Sequence, residues 1–409
     1  MGKDERVLII GAGPAGLFCA YRLIEAGIPV LLTDRMTSPG RKFLLAGASG
    51  GLNCTHRGTP EELSLKYYGN EALFKGLLTD FSPSDLTNWY KIMGSGTFTG
   101  NGGKIFAKSG APEVLKHWLE FLNASPLFEF RGSCEFTGFG DRPGLFMFRQ
   151  GGQALELEAD YAVFALGGGS RPETGSNGAW VNAFQAAGIQ VAPLRAANCG
   201  IQVPWSQFLR QRIAEAEDTG MAARAGATSL DIALACNGSP STGEVVLTGY
   251  GLEGSGVYSI GYYIRQELEK NGRCTIGVDL LPGLSARQLE RRLEKPRGKN
   301  SLSNYARKAL GLSGLPFVLF KELQPEGDLS RIKNLNLTVT GLRPLEEAIS
   351  SAGGVCLSEL DENLMLKSRP GCFVVGEMAD WEAPTGGYLL QGCFSTAYRA
   401  SEKIIDLLS

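Results

Sequence analysis

The 409-residue chain is poor in histidine, has no paired cysteines and contains no long apolar run. Its two histidines, His56 and His117, are too few for a zinc or non-haem iron site, so no metal is expected. The nine cysteines, at 19, 54, 134, 199, 236, 274, 356, 372 and 393, are odd in number, scattered and never spaced CxxC. They read as reduced core thiols, and a redox relay through a disulfide is disfavoured. No apolar stretch approaches the ~20 residues of a membrane span. The N-terminal Met1-Gly2-Lys3-Asp4-Glu5-Arg6 leads directly into a strand-like run, without the apolar core of a secretory signal. A cytoplasmic location without membrane attachment is the expectation. The net charge of −2 implies no general attraction to nucleic acid.

The chain does contain a glycine-rich turn in a specific setting. Val7 to Ile10 reads as a buried strand, and Gly11-Ala12-Gly13-Pro14-Ala15-Gly16 turns into a helix ending at Gly27. A second strand, Val30-Leu31-Leu32, then delivers Asp34, followed by Arg35. Gly11 permits the tight turn, Gly13 lets the backbone approach a pyrophosphate, and Gly16 lets helix and strand pack closely. The helix N-terminus would face the phosphates. Asp34 lies 23 positions after Gly11, close to the spacing at which a carboxylate meets an adenosine ribose hydroxyl. A glycine-rich structural turn alone leaves Asp34 unexplained, so a dinucleotide site is the reading.

The C-terminus decides between FAD and NAD(P). Cys372 to Val375 reads as a strand that ends in Gly376-Glu377, where a carboxylate can accept a bond from a ribityl hydroxyl. Thr385-Gly386-Gly387-Tyr388 then precedes a helical stretch from about Leu389 to Leu408. Its first N–H groups could stabilise negative charge at flavin N1 and O2 on reduction.

With these residues the chain resembles the BaiN-like family of bacterial FAD-dependent oxidoreductases. The resemblance covers most of the sequence. It rests on Gly11 to Gly16, on Gly40-Arg41-Lys42-Phe43-Leu44 leading to Gly50-Gly51-Leu52-Asn53, and on Gly103-Lys104-Ile105-Phe106. It continues through Ala165-Leu166-Gly167-Gly168, Thr174-Gly175-Ser176, Gly353-Gly354-Val355 and Pro370-Gly371, and on to Gly376-Glu377, Thr385 to Tyr388 and Gln391-Gly392. The resemblance implies that the loop from Arg41 to Asn53, with Lys42, Gly50 and Gly51, wraps the pyrophosphate and the flavin edge. Ala165, Gly167, Gly386, Gly387, Tyr388 and Leu389 complete the expected FAD contacts. Many relatives carry Arg-Cys before the asparagine, where this chain has Gly51-Leu52 and places Cys54 after it. A catalytic role for that cysteine is therefore not carried over.

The expected fold is α/β: a Rossmann-type FAD-binding domain made from residues 1–192 and 342–409, with residues 193–341 inserted. The insertion has strand-like runs at Leu230 to Leu234, Glu244 to Leu247 and Cys274 to Val278, and a polar helical part from Ser285 to about Leu310. The resemblance implies a β-barrel-like domain with a small helical section, where substrate choice would reside. Gly249 to Gly254 repeats the GxGxxG pattern between Val245-Val246-Leu247 and a predicted helix. The next strand-end acid, Asp279, comes 30 positions after Gly249, so a helix start facing the substrate is preferred there over a second nucleotide site. Between Arg287 and Lys308, eight basic residues stand against Glu290 and Glu294, a local charge of +6. Their spacing suits a solvated helix with ion pairs, and only Tyr305 is available for base stacking. RNA is thus less favoured than a small-molecule substrate.

A flavin enzyme needs few reactive side chains of its own. His56, three residues after Asn53, is the candidate general acid. Tyr388 is a candidate for stacking beside the flavin or closing the pocket. Arg57 suits a substrate anion or plain solvent, and His117, inside a helix, reads as structural. The reactions that the resemblance implies are reduction of carbon–carbon double bonds, formation of dihydrouridine in ribosomal RNA, and oxygen-dependent oxidation of an amine. A reductase drawing on NADH or NADPH as transient donor is the first expectation.

Overall fold

The computed structural model describes residues 7–47, 51–218 and 229–409. The chain divides into two compact units, residues 1–196 with 345–409, and residues 197–344.

The first unit is built on a five-stranded parallel sheet ordered Cys372–Val374, Ala162–Phe164, Val7–Ile10, Val30–Thr33 and Phe128–Arg131. Both chain ends contribute to it. Alternate residues bury on opposite faces, with Val7, Ile9, Val30 and Leu32 in one core and Leu8, Ile10, Leu31 and Phe164 in another. A parallel strand covered on both sides needs an uninterrupted apolar run, and that is what Val7 to Ile10 supplies. The first helix, Pro14–Glu25, and the C-terminal helix, Tyr388–Leu408, are joined by Arg22 and Glu402 at 2.7 Å and by the Cys19 thiol donating to the Ala397 carbonyl. A small antiparallel sheet of Asn53–His56, Lys104–Ala107 and Thr97–Thr99 lies in the same unit.

The second unit is a seven-stranded antiparallel sheet with its own core. Its two outermost strands, Leu335–Val339 and Gly341–Leu342, are separated only by Thr340. Chain continuity thus brings the two edges of the sheet together, the curling expected of a barrel-like domain. The polar stretch after Ser285 forms two helices rather than one, Ala286–Leu293 and Leu302–Leu310. Pro296 and Gly298 stand in the break, where a missing N–H and a left-handed glycine stop helix propagation. The helix expected after Gly254 is a single turn, Ser255–Tyr258.

Candidate functional site

The first unit contains a cleft of about 700 Å³. Gly11, Gly13, Pro14, Ala15, Asp34, Arg35, Arg41, Lys42, Ala165, Gly167, Gly376 and Glu377 all line it, so twelve of the candidate residues converge from both chain ends. The three glycines of the first motif act in different ways. A Cβ on Gly11 would come within 2.4 Å of the Ala165 carbonyl oxygen, and one on Gly16 within 1.9 Å of the Gly11 carbonyl oxygen. Gly16 therefore serves the helix–strand contact behind the cleft. Above Gly13 a Cβ would meet nothing within 4 Å. The helix there starts without a side-chain cap, and its first N–H groups are available to an anion.

Asp34 sits at the strand end with its carboxylate drawn into the turn. Ala12 N donates to Oδ2 and Met36 N to Oδ1, both at 2.7 Å. Burial raises its pKa, opposed by these two bonds and by Arg35 and Arg41. Arg35 itself is exposed and lies 3.6 Å from Glu135.

At the other end of the cleft, Glu377 is held from two sides. Lys42 Nζ donates to Glu377 Oε2 at 2.7 Å and to Ser170 Oγ at 2.8 Å, while Ser351 N donates to Glu377 Oε1 at 2.6 Å. Ser351 Oγ in turn accepts from the N–H groups of Gly169 and Ser170. Four chain segments distant in sequence are tied together through one carboxylate. The Gly376 turn is fixed by its N–H donating to Thr396 Oγ1 and by Trp381 Nε1 donating to its carbonyl.

The remaining candidates form a second group around the start of the C-terminal helix. That helix begins at Tyr388 with Gly387 in a left-handed conformation and no side-chain cap. A Cβ on Gly387 would lie 2.5 Å from the Thr55 backbone, so helix start and Asn53–His56 strand touch directly. Thr55 donates to the buried Gln391 amide at 2.6 Å, and Tyr67 donates to the Tyr388 carbonyl at 2.8 Å. The His56 ring stacks on Tyr388 with centroids 5.2 Å apart, and its Nδ1 lies 2.8 Å from the Arg57 carbonyl. Burial pushes the Tyr388 phenol up to about 12, so it keeps its proton at neutral pH. The Asn53 amide satisfies both its ends only when its nitrogen is assigned to face the carbonyls of Thr55 on its own strand and Ile105 on the neighbouring one. Gly51 is exposed, Leu389 is half-buried, and Gly50 lies outside the described residues. Cys393, five residues beyond Tyr388 on the same helix, reaches the cleft. At about 1.5 Å rise per residue the two groups are roughly 7 Å apart along the helix axis.

Cys54 is fully buried, donates to the Leu52 carbonyl, and is pushed up to about 12 by burial. His117 lies in the Ala111–Asn123 helix, with Nδ1 3.1 Å from the Met93 carbonyl. Sequence reasoning missed Ser170, Ser351, Ser38 and Cys393, and a smaller pocket of about 360 Å³ beside Asp34, lined by Cys134, Glu135, Phe136, Asn177 and Trp180. A local signal existed only for Cys134 to Phe136, an apolar alternation directly after the strand that neighbours Val30–Thr33.

The model of the HI0933-like protein Rossmann domain matches residues 5–403. The chain belongs to this family. With it goes the class: the protein is an FAD-dependent oxidoreductase, and FAD is its cofactor. Over 97% of its length it is 26% identical to a ribosomal RNA dihydrouridine synthase of Escherichia coli, of which it covers 97%. It is 23% identical to a 3-dehydro-bile acid delta(4,6)-reductase of Clostridium scindens, over 97% of this chain and 98% of that one. Among solved structures, a 3-ketosteroid delta1-dehydrogenase from Sterolibacterium denitrificans superimposes with a TM-score of 0.56 at 12% identity, covering 99% of this chain and 100% of that one. At that identity the likeness establishes the fold alone. Among the described residues no helix is long and apolar enough to cross a membrane.

Proposed function

We propose that the protein reduces an unsaturated small molecule with electrons from NADH or NADPH, with FAD seated along the cleft from Asp34 to Glu377. The open space over Gly13 at an uncapped helix start fits a pyrophosphate, and a side chain there would fill that space. Asp34 and the pocket beside it take the adenosine half, and Lys42, Glu377 and Ser351 the ribityl side. When bound, FAD supplies hydride transfer.

Reduction of a polarised double bond also consumes a proton, and the observation that carries the reading is a group able to bring it. A carbonyl oxygen only accepts, so the bond to Arg57 requires a proton on His56 Nδ1. With that proton on Nδ1, Nε2 is the ring atom left to take up a proton and pass it on. Tyr388 stacks on this ring as a neutral phenol and limits its rotation. The group stands beside the second uncapped helix start, where N–H dipoles favour developing negative charge. The relative from Clostridium scindens, a reductase by name, supports reduction as the direction. Residues 197–344 serve to select the substrate.

A second reading, a uridine in ribosomal RNA as substrate, has in its favour the name of the Escherichia coli relative and the exposure of all eight basic residues between Arg287 and Lys308. Against it, the hydroxyl of Tyr305 is committed to the Leu293 and Lys295 carbonyls and its ring is half-buried. The test is anaerobic mixing of the purified holoprotein with NADH or NADPH, followed by air. Rapid bleaching by a nucleotide and slow return of colour are expected. No bleaching by either nucleotide removes the reductase reading, and rapid recolouring in air points to an oxidase.

A further inference from the structure

Away from the cleft, the sheet of the second unit holds two nucleophilic side chains in mutual contact. Cys236 ends the Ser229–Cys236 strand and Cys274 opens the neighbouring Cys274–Asp279 strand. Their sulfurs are 3.6 Å apart and share a hydrogen bond. Both thiols are free, and each residue is only 2% exposed. The last rung between these two strands pairs Ala235 with Gly277, so the cysteines lie past the end of their shared ladder. There the two strands no longer pair with each other, while Cys236 still pairs with Ser239 and Cys274 with Val339 on their other sides.

The pair is also one residue below the surface. Cys236 is followed by Asn237 and Gly238 of an exposed hairpin turn, and Cys274 is preceded by exposed Asn271, Gly272 and Arg273. This end of the unit is pinned by polar bonds, since Glu267 accepts from Asn237 at 2.7 Å and from Asn271 at 2.8 Å. Such contacts open at lower cost than apolar packing, which gives a small oxidant a route to the sulfurs. The shared hydrogen bond favours the thiolate of Cys236, while the same bond and burial hold the proton on Cys274. The two thiols are thereby unequal: one suited to attack, the other to resolve.

We propose that Cys236 and Cys274 are a redox modification site, which closes to a disulfide within the second unit when the protein meets a hydroperoxide. In the first step Cys236 thiolate attacks a peroxide oxygen, the O–O bond breaks, and an alcohol or water leaves after taking up a proton. Cys236 is then a sulfenic acid. The Cys274 sulfur next attacks the Cys236 sulfur, the S–O bond breaks, water leaves, and the S–S bond forms. Two thiols have lost two electrons and two protons, and the peroxide is reduced to alcohol and water. Closure requires the sulfurs to approach from 3.6 Å to about 2.05 Å, within reach of side-chain rotation and a slight shift of the strand ends.

The test treats the full-length holoprotein with hydrogen peroxide, then unfolds it in alkylating reagent and maps the peptides by mass spectrometry without reduction. The expected result is one linked peptide pair containing Cys236 and Cys274, released by dithiothreitol, with Cys19, Cys54 and Cys372 still alkylated. The thermal midpoint of the oxidised wild type should rise by a few degrees, and that of Cys236→Ala should not. In Cys274→Ser, which lacks the resolving thiol but keeps a hydroxyl that can donate to the Cys236 sulfur, dimedone should label Cys236. Full alkylation of both residues after peroxide has oxidised other thiols overturns the proposal, as does linkage of either one to a different cysteine. Both results are read on the wild-type chain, so they stand even if a variant fails to fold.

Discussion

The pattern Gly-x-Gly-x-x-Gly occurs twice, at residues 11–16 in the first unit and 249–254 in the second, and the fold uses the copies differently. In the first copy a parallel strand feeds a 12-residue helix, and the outer glycines relieve backbone crowding while Gly13 faces open space. In the second copy the same spacing crosses an antiparallel hairpin between the Ser239–Thr248 and Gly251–Glu253 strands. A Cβ on Gly251 would come within 1.9 Å of the Ile201 carbonyl oxygen, and one on Gly254 within 2.5 Å of that of Glu244. Those glycines serve strand pairing, and the helix that follows has four residues. Glycine spacing alone therefore reports close backbone approach. What distinguishes the first copy is an open middle position at the start of a full helix, with an acid at the end of the next strand.

The strongest break of this comparison is Gly13→Val. Gly13 has an ordinary extended conformation, φ −79° and ψ −175°, and no protein atom near its missing Cβ, so the fold tolerates the larger residue. The added methyls intrude on the open space proposed for the pyrophosphate, and loss of bound FAD is expected, read as absence of the yellow absorbance in a folded protein. Gly249→Val, in the open turn of the second copy, should leave the flavin content unchanged. A Gly13→Val protein that stays fully yellow would remove the cleft as the FAD site.

A smaller effect is expected from Glu377→Ala. Loss of one charge-assisted hydrogen bond to a ribityl hydroxyl costs on the order of 1.5–3 kcal/mol, roughly tenfold to a hundredfold in FAD affinity. Because Lys42 and the Ser351 N–H also lose their partner, Lys42→Met serves as the control. If the cradle works as a unit, titration of either apoprotein with FAD shows weakened binding. Unchanged affinity in Glu377→Ala would remove that residue from the site.

Much of the first copy was readable in advance because its signals are local. A buried strand, a glycine turn, a helix and an acid lie within 30 residues, and each has one physical cause. The C-terminal half of the cleft was readable from Gly376-Glu377 and the helix after Gly387. By contrast, Ser351 bonds to Gly169 and Ser170 from 182 and 181 positions away, and nothing beside a serine in a chain announces such a partner. The 3.6 Å contact of Cys236 and Cys274 was hidden for the same reason, since a 38-residue separation has no CxxC signature. The helical ion pairs expected of Glu290, Arg291, Glu294 and Lys295 are not formed among the described residues. The break at Pro296 leaves a short first helix whose charged side chains all remain exposed.

Cys54→Ser should change little. The thiol points into the core below Leu52, far from thiolate formation, and a serine hydroxyl can take over its bond to the Leu52 carbonyl. A stability loss of about 1 kcal/mol or less and nearly unchanged turnover are expected, checked by thermal melting and by the rate of flavin reduction. Complete loss of flavin reduction in a folded Cys54→Ser protein would mean that the thiol takes part in the chemistry.

The smallest expected signal comes from the second unit's charged surface. All eight basic residues between Arg287 and Lys308 are exposed, and Ser285 caps the first helix through a reciprocal bond with Gln288, so this face is an ordered, solvated helical pair. Phosphate binding by such a face depends on counterion release and fades as salt rises. Base recognition would need stacking surfaces, and Tyr305, the only aromatic residue in the segment, spends its hydroxyl on two backbone carbonyls that close the loop between the helices. We therefore expect no tight binding of structured ribosomal RNA at physiological salt, and only weak, salt-sensitive association at low ionic strength. Fluorescence anisotropy with a labelled ribosomal RNA fragment measures both. Tight binding at physiological salt that is lost in the triple change of Arg291, Arg292 and Arg297 to glutamate would reverse this expectation and move the substrate from a small molecule to RNA.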